Sequence, residues 1–255
     1  MAAKALIHVG THCTVWAGPA EYLAPHEGSA PVLLTGLYAD FELRLPGQRW
    51  YTVSAALIPP RLLHELQFHG SVFSALYVEP TLGGSALLAG LLQGVREIGG
   101  VLVGRATRHS WMRSLYESRP RLELTDAALD DLFERRPANY AVDVIDGRIA
   151  AIVAQLSAGA LPTMPLAALA AQAGLSPSRF QHLFTRQVGV PYRRFRAWSR
   201  LRHAWRALAL GYSVTQAAYE AGFCDSAHFS HEYRRTFGTA VRRRQCAPDH
   251  ARRRA

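Results

Sequence analysis

Gln181, Arg179 and Arg186 are of the residue types that pair with nucleic acid: a carboxamide matches an adenine edge, and a guanidinium matches guanine or a phosphate. With Ser178 and His182 they lie away from an apolar stripe formed by Phe180, Leu183 and Phe184, so one helix would be buried on one side and polar on the other. Histidines are the other chemistry-bearing residues. His26 and His64 are too few ligands for a stable metal site, and His8, His12 and Cys13 are equally thin. No Ser/His/Asp or Cys/His triad context, glycine-rich phosphate loop or paired metal-binding cysteines are found, so neither catalysis nor a cofactor or metal is expected.

The polar helix needs a frame, and the flanking sequence supplies one. Leu166, Leu169, Ala170 and Ala173 are spaced for one buried helical face. Gly174 then allows a tight turn, and Ser176 is placed to cap a second helix whose first residue is Pro177. This is a helix-turn-helix pattern. A single copy is weak, because a plain helical hairpin with a glycine turn reads the same way. A second copy follows, however: Ala218 and Gly222 repeat Ala170 and Gly174 at a spacing of 48 residues, and Phe229 and Tyr233 replace Phe180 and Phe184. Between the copies, Phe195, Trp198, Leu201, Trp205 and Leu208 mark one helix from Pro191 to about Leu210. About 20 residues give a rod of about 30 Å, close to the ~34 Å repeat of the major groove along one side of DNA.

Charge points the same way. Residues 1–145 carry 12 basic against 14 acidic side chains, whereas residues 146–255 carry 17 against 5, a net of +12. So basic a surface suits a polyanion. Lys4 is the one lysine among 29 basic residues, which points to genome composition, so the preference for arginine is not counted as evidence for phosphate binding. The three cysteines, Cys13, Cys224 and Cys246, are far apart, which fits reduced thiols in a cytoplasm. No signal peptide or membrane span is expected. The apolar run from Ile149 to Leu175 is interrupted by Gln155, Pro162, Pro165 and Gln172.

The N-terminal part reads differently. Val32–Leu34, Leu37–Leu45, Trp50–Ile58 and Ser71–Val78 are expected as short strands separated by turns at Pro46-Gly47-Gln48, Pro59-Pro60 and His69-Gly70, which suggests a sandwich or barrel. Strand residues of one parity face a barrel's interior, so some of Trp16, His26, Tyr38, Trp50, His64 and Tyr77 are expected to line an effector pocket. From Gly84 to Arg135 the spacing turns helical, at Leu87, Leu88, Leu91, Leu92 and Val95 and again at Leu122, Leu129, Leu132 and Phe133. The break at Arg135-Arg136-Pro137-Ala138-Asn139 is the expected domain boundary, and Ile149, Ile152, Val153 and Leu156 give the next helix its apolar face.

Leu166 to Phe184, the connecting helix, and Gly222-Phe223 through Phe237-Gly238 together resemble the DNA-binding domain of AraC/XylS-type transcription regulators over about residues 143–244. The departure is Thr239-Ala240-Val241, where that family usually has a proline. The resemblance implies that Ser178, Gln181 and His182 face bases in the first recognition helix, and that Ser226, Ala227, His228 and His231 take those places in the second, with Arg234 and Arg235 nearer phosphate. Pro59-Pro60-Arg61-Leu62-Leu63-His64 is similar to the second cupin motif, with Arg61 where glycine is usual, and Pro25-His26-Glu27 is similar to a remnant of the first. The expected architecture is therefore α+β: a cupin-like β-barrel sensor with a helical dimerisation segment over residues 1–136, an all-α domain with two helix-turn-helix units over 143–244, and a basic tail over 245–255. The implied partners are double-stranded DNA, a small-molecule effector, a second copy of the chain and RNA polymerase, without a membrane.

Two other readings compete. A cupin metalloenzyme fused to a DNA-binding module needs a complete metal set, and a nucleoid-type protein needs no polar base-facing pattern such as that around Gln181.

Overall fold

The structure, a computed structural model, describes residues 5–10, 13–78, 84–118, 145–158 and 164–241. Its N-terminal unit is built from antiparallel strands: β1 (Leu6–Val9), β2 (Cys13–Pro19), β3 (Tyr22–Glu27), β4 (Val32–Gly36), β5 (Phe41–Arg44), β6 (Tyr51–Val53), β7 (Ala55–Ile58), β8 (Leu63–Gln67), β9 (Val72–Val78), β10 (Leu92–Ile98) and β11 (Val101–Ala106). They form a seven-stranded sheet in the order β1-β2-β9-β4-β7-β11-β10 and a four-stranded sheet in the order β3-β8-β5-β6.

Strand periodicity sorts the side chains into two cores. Val32, Leu34, Ala56, Ile58, Phe73 and Ala75 of the large sheet meet Phe41, Leu43, Leu66 and Phe68 of the small one, with Phe68 and Phe73 stacked at 3.8 Å between ring centroids. Alternate residues of the same strands, Val15, Ala17, Leu33, Leu57, Leu76 and Val78, lie on the other face. That face is covered by two helices, α1 (Gly84–Ala89) and α2 (His109–Ser118), through Leu87, Leu88, Met112, Leu115 and Tyr116. A sheet buried on both faces shows little alternation in sequence, and β4 is buried along its whole length.

One expectation is corrected. Leu92 and Val95 do not continue a helix from Leu87: α1 ends at Ala89, and residues 92–106 form a hairpin that turns at Gly99-Gly100. Leu92 and Ile98 are its buried ends, and between them β10 is an exposed edge strand with a shifted register at Gln93/Arg96. An edge strand with a bulge carries no period-2 signal. Leu122, Leu129, Leu132, Phe133 and the break at 135–139 lie outside the described residues.

The turn before β8 holds Arg61 in a backbone conformation that disfavours it. Arg61 adopts φ +68°, the left-handed region that a residue with a Cβ enters at a cost. Arg61→Gly should therefore stabilise the protein by about 1 kcal/mol, less the chain entropy glycine adds to the unfolded state. A urea midpoint that falls instead would show that the arginine side chain contributes more than its backbone costs.

The helical unit comprises α3 (Gly147–Ser157), α4 (Leu166–Gln172), α5 (Pro177–Val188), α6 (Tyr192–Ala209), α7 (Val214–Glu220) and α8 (Ser226–Phe237). Its core is contributed by every one of these helices, among them Ile149 and Ile152 of α3, Phe180 and Phe184 of α5, Trp198 and Trp205 of α6 and Phe229 and Phe237 of α8.

Candidate nucleic-acid interface and effector cavity

Helices α4 and α5 pack through Leu169 and Ala170, both fully buried, against Phe180, Leu183 and Phe184. Gly174 makes the turn at φ +64°, and Gly222 repeats it between α7 and α8 at +74°, a conformation natural to glycine. The caps are local and strong. The Ser176 hydroxyl accepts from the Arg179 N–H at 3.3 Å, with Pro177 opening the helix. Ser213 and Gln216 form a reciprocal capping box on α7, and the Asp225 carboxylate accepts from the His228 N–H at 2.7 Å.

With Phe180, Leu183, Phe184 and Val188 buried, α5 turns Ser178, Arg179, Gln181, His182 and Arg186 to the outside. Among the described residues, none of these five side chains makes a hydrogen bond or ion pair with another side chain. On α8, Phe229, Tyr233, Thr236 and Phe237 are buried, and Ala227, His231, Arg234 and Arg235 are exposed. Ser226 and His228 are half-buried. The His228 ring packs edge-on to Phe223 at 5.3 Å, which leaves it less to offer a ligand than the first helix's His182. Arg235 and His231 both lie near Glu232, at 3.4 and 3.8 Å. The second polar face is thus partly self-paired where the first is open.

The connecting helix α6 has 18 residues and is about 27 Å long. Its arginines divide. Arg193 is exposed, Arg200 and Arg196 lie over the rings of Phe223 and Tyr192, and three others turn to the N-terminal unit. Arg194 pairs with Glu27 at 3.0 Å, Arg206 donates to the Val9 carbonyl at 3.3 Å, and Arg202 donates to the Thr14 hydroxyl at 2.9 Å and the Gly10 carbonyl at 2.7 Å. Arg202 is 3% exposed, and burial, with Arg206 nearby, lowers its pKa to about 10. It stays charged at neutral pH. Of the arginines that sequence placed around this helix, Arg202 is therefore buried away from phosphate, and Arg194 and Arg206 are engaged by the N-terminal unit, a division that spacing alone did not reveal.

The two units share one seam. Ile7, Val9, Trp16 and Tyr77 pack on the helical core, and the Tyr77 ring lies 4.6 Å from that of Trp198. The N–H of Ala24 on β3 donates to the carbonyl of Gly238, which ends α8. At this seam is a cavity of about 290 Å³. Trp16, His26, His64 and Tyr77 line it from the N-terminal unit, and Trp205, Tyr233, Thr236 and Phe237 close it from the helices. Tyr38 and Trp50 do not line it: Tyr38 bonds Glu117 at 2.8 Å on the far side of the sheet, and Trp50 sits under the Arg44 guanidinium. Residue parity identifies a strand's inner face but not which end of that face opens on a cavity.

His26 and His64 are cross-strand partners on β3 and β8, with ring centroids 4.2 Å apart. Each Nδ1 lies 2.8 Å from the carbonyl oxygen two residues earlier, of Ala24 and Leu62 respectively. Burial above all, with His64 beside it, pushes His26 down to about 3, and burial pushes His64 down to about 4. Both rings are neutral at pH 7. Among the described residues, no group of three or more His, Cys, Asp or Glu side chains is arranged to hold a metal ion, and no helix is long and apolar enough to cross a membrane.

The model of a helix-turn-helix domain family matches residues 169–244, from the middle of α4 through the whole of the second helix-turn-helix unit. The chain carries a helix-turn-helix domain of this family. Structures of ToxT from Vibrio cholerae share the fold over both units. An apo ToxT variant aligns at a TM-score of 0.58 and 13% identity, covering 91% of this chain and 96% of that one. ToxT bound to a methylnaphthalenyl butenoic acid aligns at 0.55 and 11%, covering 90% and 96%. Wild-type ToxT with an unsaturated fatty acid bound aligns at 0.53 and 14%, covering 91% and 94%. No curated protein matches by sequence. The chain thus joins a helix-turn-helix domain to a β-rich N-terminal unit in the fold that ToxT also has.

Proposed function

We propose that the protein binds double-stranded DNA sequence-specifically through α5 and α8, has no catalytic activity, and responds to a small molecule held in the seam cavity. The observation that carries this reading is the outward face of α5. Ser178, Gln181 and His182 are exposed on a helix whose other side is locked into the core, with Arg179 and Arg186 beside them for phosphate. On α8, Ala227, His228 and His231 follow the same phase with Ser226, and Arg234 and Arg235 lie toward its end. The first helix carries most of the base reading, because His228 is occupied by Phe223. That ToxT binds an unsaturated fatty acid and a naphthalenyl acid supports the effector part of the reading.

In this account residues 1–136 serve as sensor and dimerisation unit, residues 143–244 bind DNA, and 245–255 add a basic tail. The regulator works in the cytoplasm as a homodimer, which raises the effective concentration of the second chain at its half-site, and RNA polymerase is the partner at promoters. The dimer contact is assigned to the segment from Leu87 to Phe133; within it, α1 and α2 place their apolar residues on their own sheet, and the part from residue 119 on lies outside the described residues.

The test is a comparison on the full-length chain. Gln181→Ala should weaken binding to a site selected from random DNA by ~1–3 kcal/mol and leave random-sequence binding nearly unchanged. Arg186→Ala should weaken both alike and reduce the dependence on salt. Equal losses on specific and random DNA for Gln181→Ala would remove its base-reading role.

A further inference from the structure

The seam cavity is specific about charge and hydrogen bonding, and this defines the class of molecule it takes. His26 and His64 each place Nδ1 at 2.8 Å from a backbone carbonyl oxygen, which accepts only, so Nδ1 carries the proton and Nε2 is left as an acceptor. Among the described residues neither ring has another hydrogen-bond partner, and both line the cavity. Two neighbouring acceptors in a half-apolar enclosure require a donor. A metal ion would need further side-chain ligands, and no such group is found among the described residues.

Charge excludes much else. Among the described residues the lining contains no lysine or arginine, and Glu21 is its one carboxylate. A ligand carboxylate would lose its water without gaining a cation, which disfavours its binding. The imidazoles do not offset this, because burial keeps them neutral. The walls are broad and aromatic, from Trp16, Phe73, Tyr77, Trp205 and Phe237. The volume of about 290 Å³ is about twice the ~150 Å³ that admits benzene.

We propose that the seam cavity binds an uncharged phenol or alcohol with an apolar body of about two-ring size, its hydroxyl donating to Nε2 of His26 or His64. This rests on the seam cavity being the effector site and departs from the carboxylic acids held by ToxT. The ligand touches both units at once, since β3 carries His26 and α8 carries Tyr233 and Phe237.

Calorimetric titration of the full-length protein at pH 7.5 with 2-naphthol, 2-methoxynaphthalene and 2-naphthoate separates the possibilities. The naphthol should bind at least tenfold more tightly than the methyl ether, which has the same body and no donor, and than the carboxylate. His64→Phe combined with His26→Phe should erase the preference for the naphthol. The three-ligand comparison on the unaltered chain stands even if that variant does not fold. Naphthoate binding as tightly as the naphthol would overturn the ligand class while leaving the cavity as a binding site. Equal binding of naphthol and ether would remove the histidines' role and overturn the proposal. Absence of heat from all three would overturn both the ligand class and the cavity reading, whereas DNA binding, measured separately, would stand.

Discussion

At pH 4.5 the protein should be about 3–5 kcal/mol less stable than at pH 7.5, with the loss beginning near pH 6.5. The cause is the buried pair His26 and His64, lowered by desolvation from the ordinary 6.5 to about 3 and about 4. Below pH 6.5 the unfolded chain takes up protons on both histidines while the folded chain does not, so unfolding gains up to two protons. Each contributes about 1.4 kcal/mol per pH unit. Stability is therefore fully present above pH 6.5 and falls as the pH drops toward the folded values. His203, lowered chiefly by burial, acts in the same direction. The carboxylates lowered by partners, Glu65 by Arg44 and Asp146 by Arg148, act only below their ordinary range, so the window from 6.5 to 5 reports the histidines. Urea unfolding at half-unit steps of pH measures this. A His26→Gln, His64→Gln variant should lose most of the slope. Stability that is flat from pH 7 to 5 in the unaltered protein would show that these rings reach water.

Arg202→Ala should cost about 2–4 kcal/mol without removing a DNA contact. The guanidinium crosses from α6 to the β1–β2 hairpin, and its loss leaves the Gly10 carbonyl and Thr14 hydroxyl without this donor in a buried place. Lysine should rescue little, because a single ammonium does not reproduce the two-pronged fork. The readouts are the urea midpoint and the salt dependence of DNA binding. The midpoint should fall and the salt slope should not change. A reduced slope with unchanged stability would mean that Arg202 meets phosphate and that the seam opens in solution.

How much of this was legible in the sequence depended on how local the signal was. The paired helix-turn-helix units were readable because their determinants lie within a few residues of one another: Gly174, Ser176 and Pro177 in one copy, Ser213 and Gly222 in the other. The N-terminal sheet was only partly readable. β2, with Val15 and Ala17 on one face and Trp16 on the other, is apolar on both sides, and β1, β3 and β8 were not distinguished as separate strands. Val95 was assigned to a helix because an irregular edge strand mimics helical spacing over a short run. For the cavity, four of six expected residues line it, and the helical wall was not anticipated. Trp205 and Phe237 looked like ordinary core positions, and nothing in their spacing shows that the core they complete extends across to Tyr77.

Gly238 sets a further consequence of the seam. Its φ is +66°, and a methyl group there would collide with the Ala24 carbonyl oxygen, a contact that β3 would have to yield to. The end of the second recognition helix and a sensor strand have therefore been shaped against each other atom by atom. Such a pair does not behave as interchangeable parts. A chimera carrying another regulator's sensor on this DNA-binding domain would inherit a mismatched joint, with Trp205 and Phe237 left uncovered and Arg202 left without its hairpin. New specificities in this architecture are then more accessible by substitutions inside the existing cavity than by exchange of whole modules.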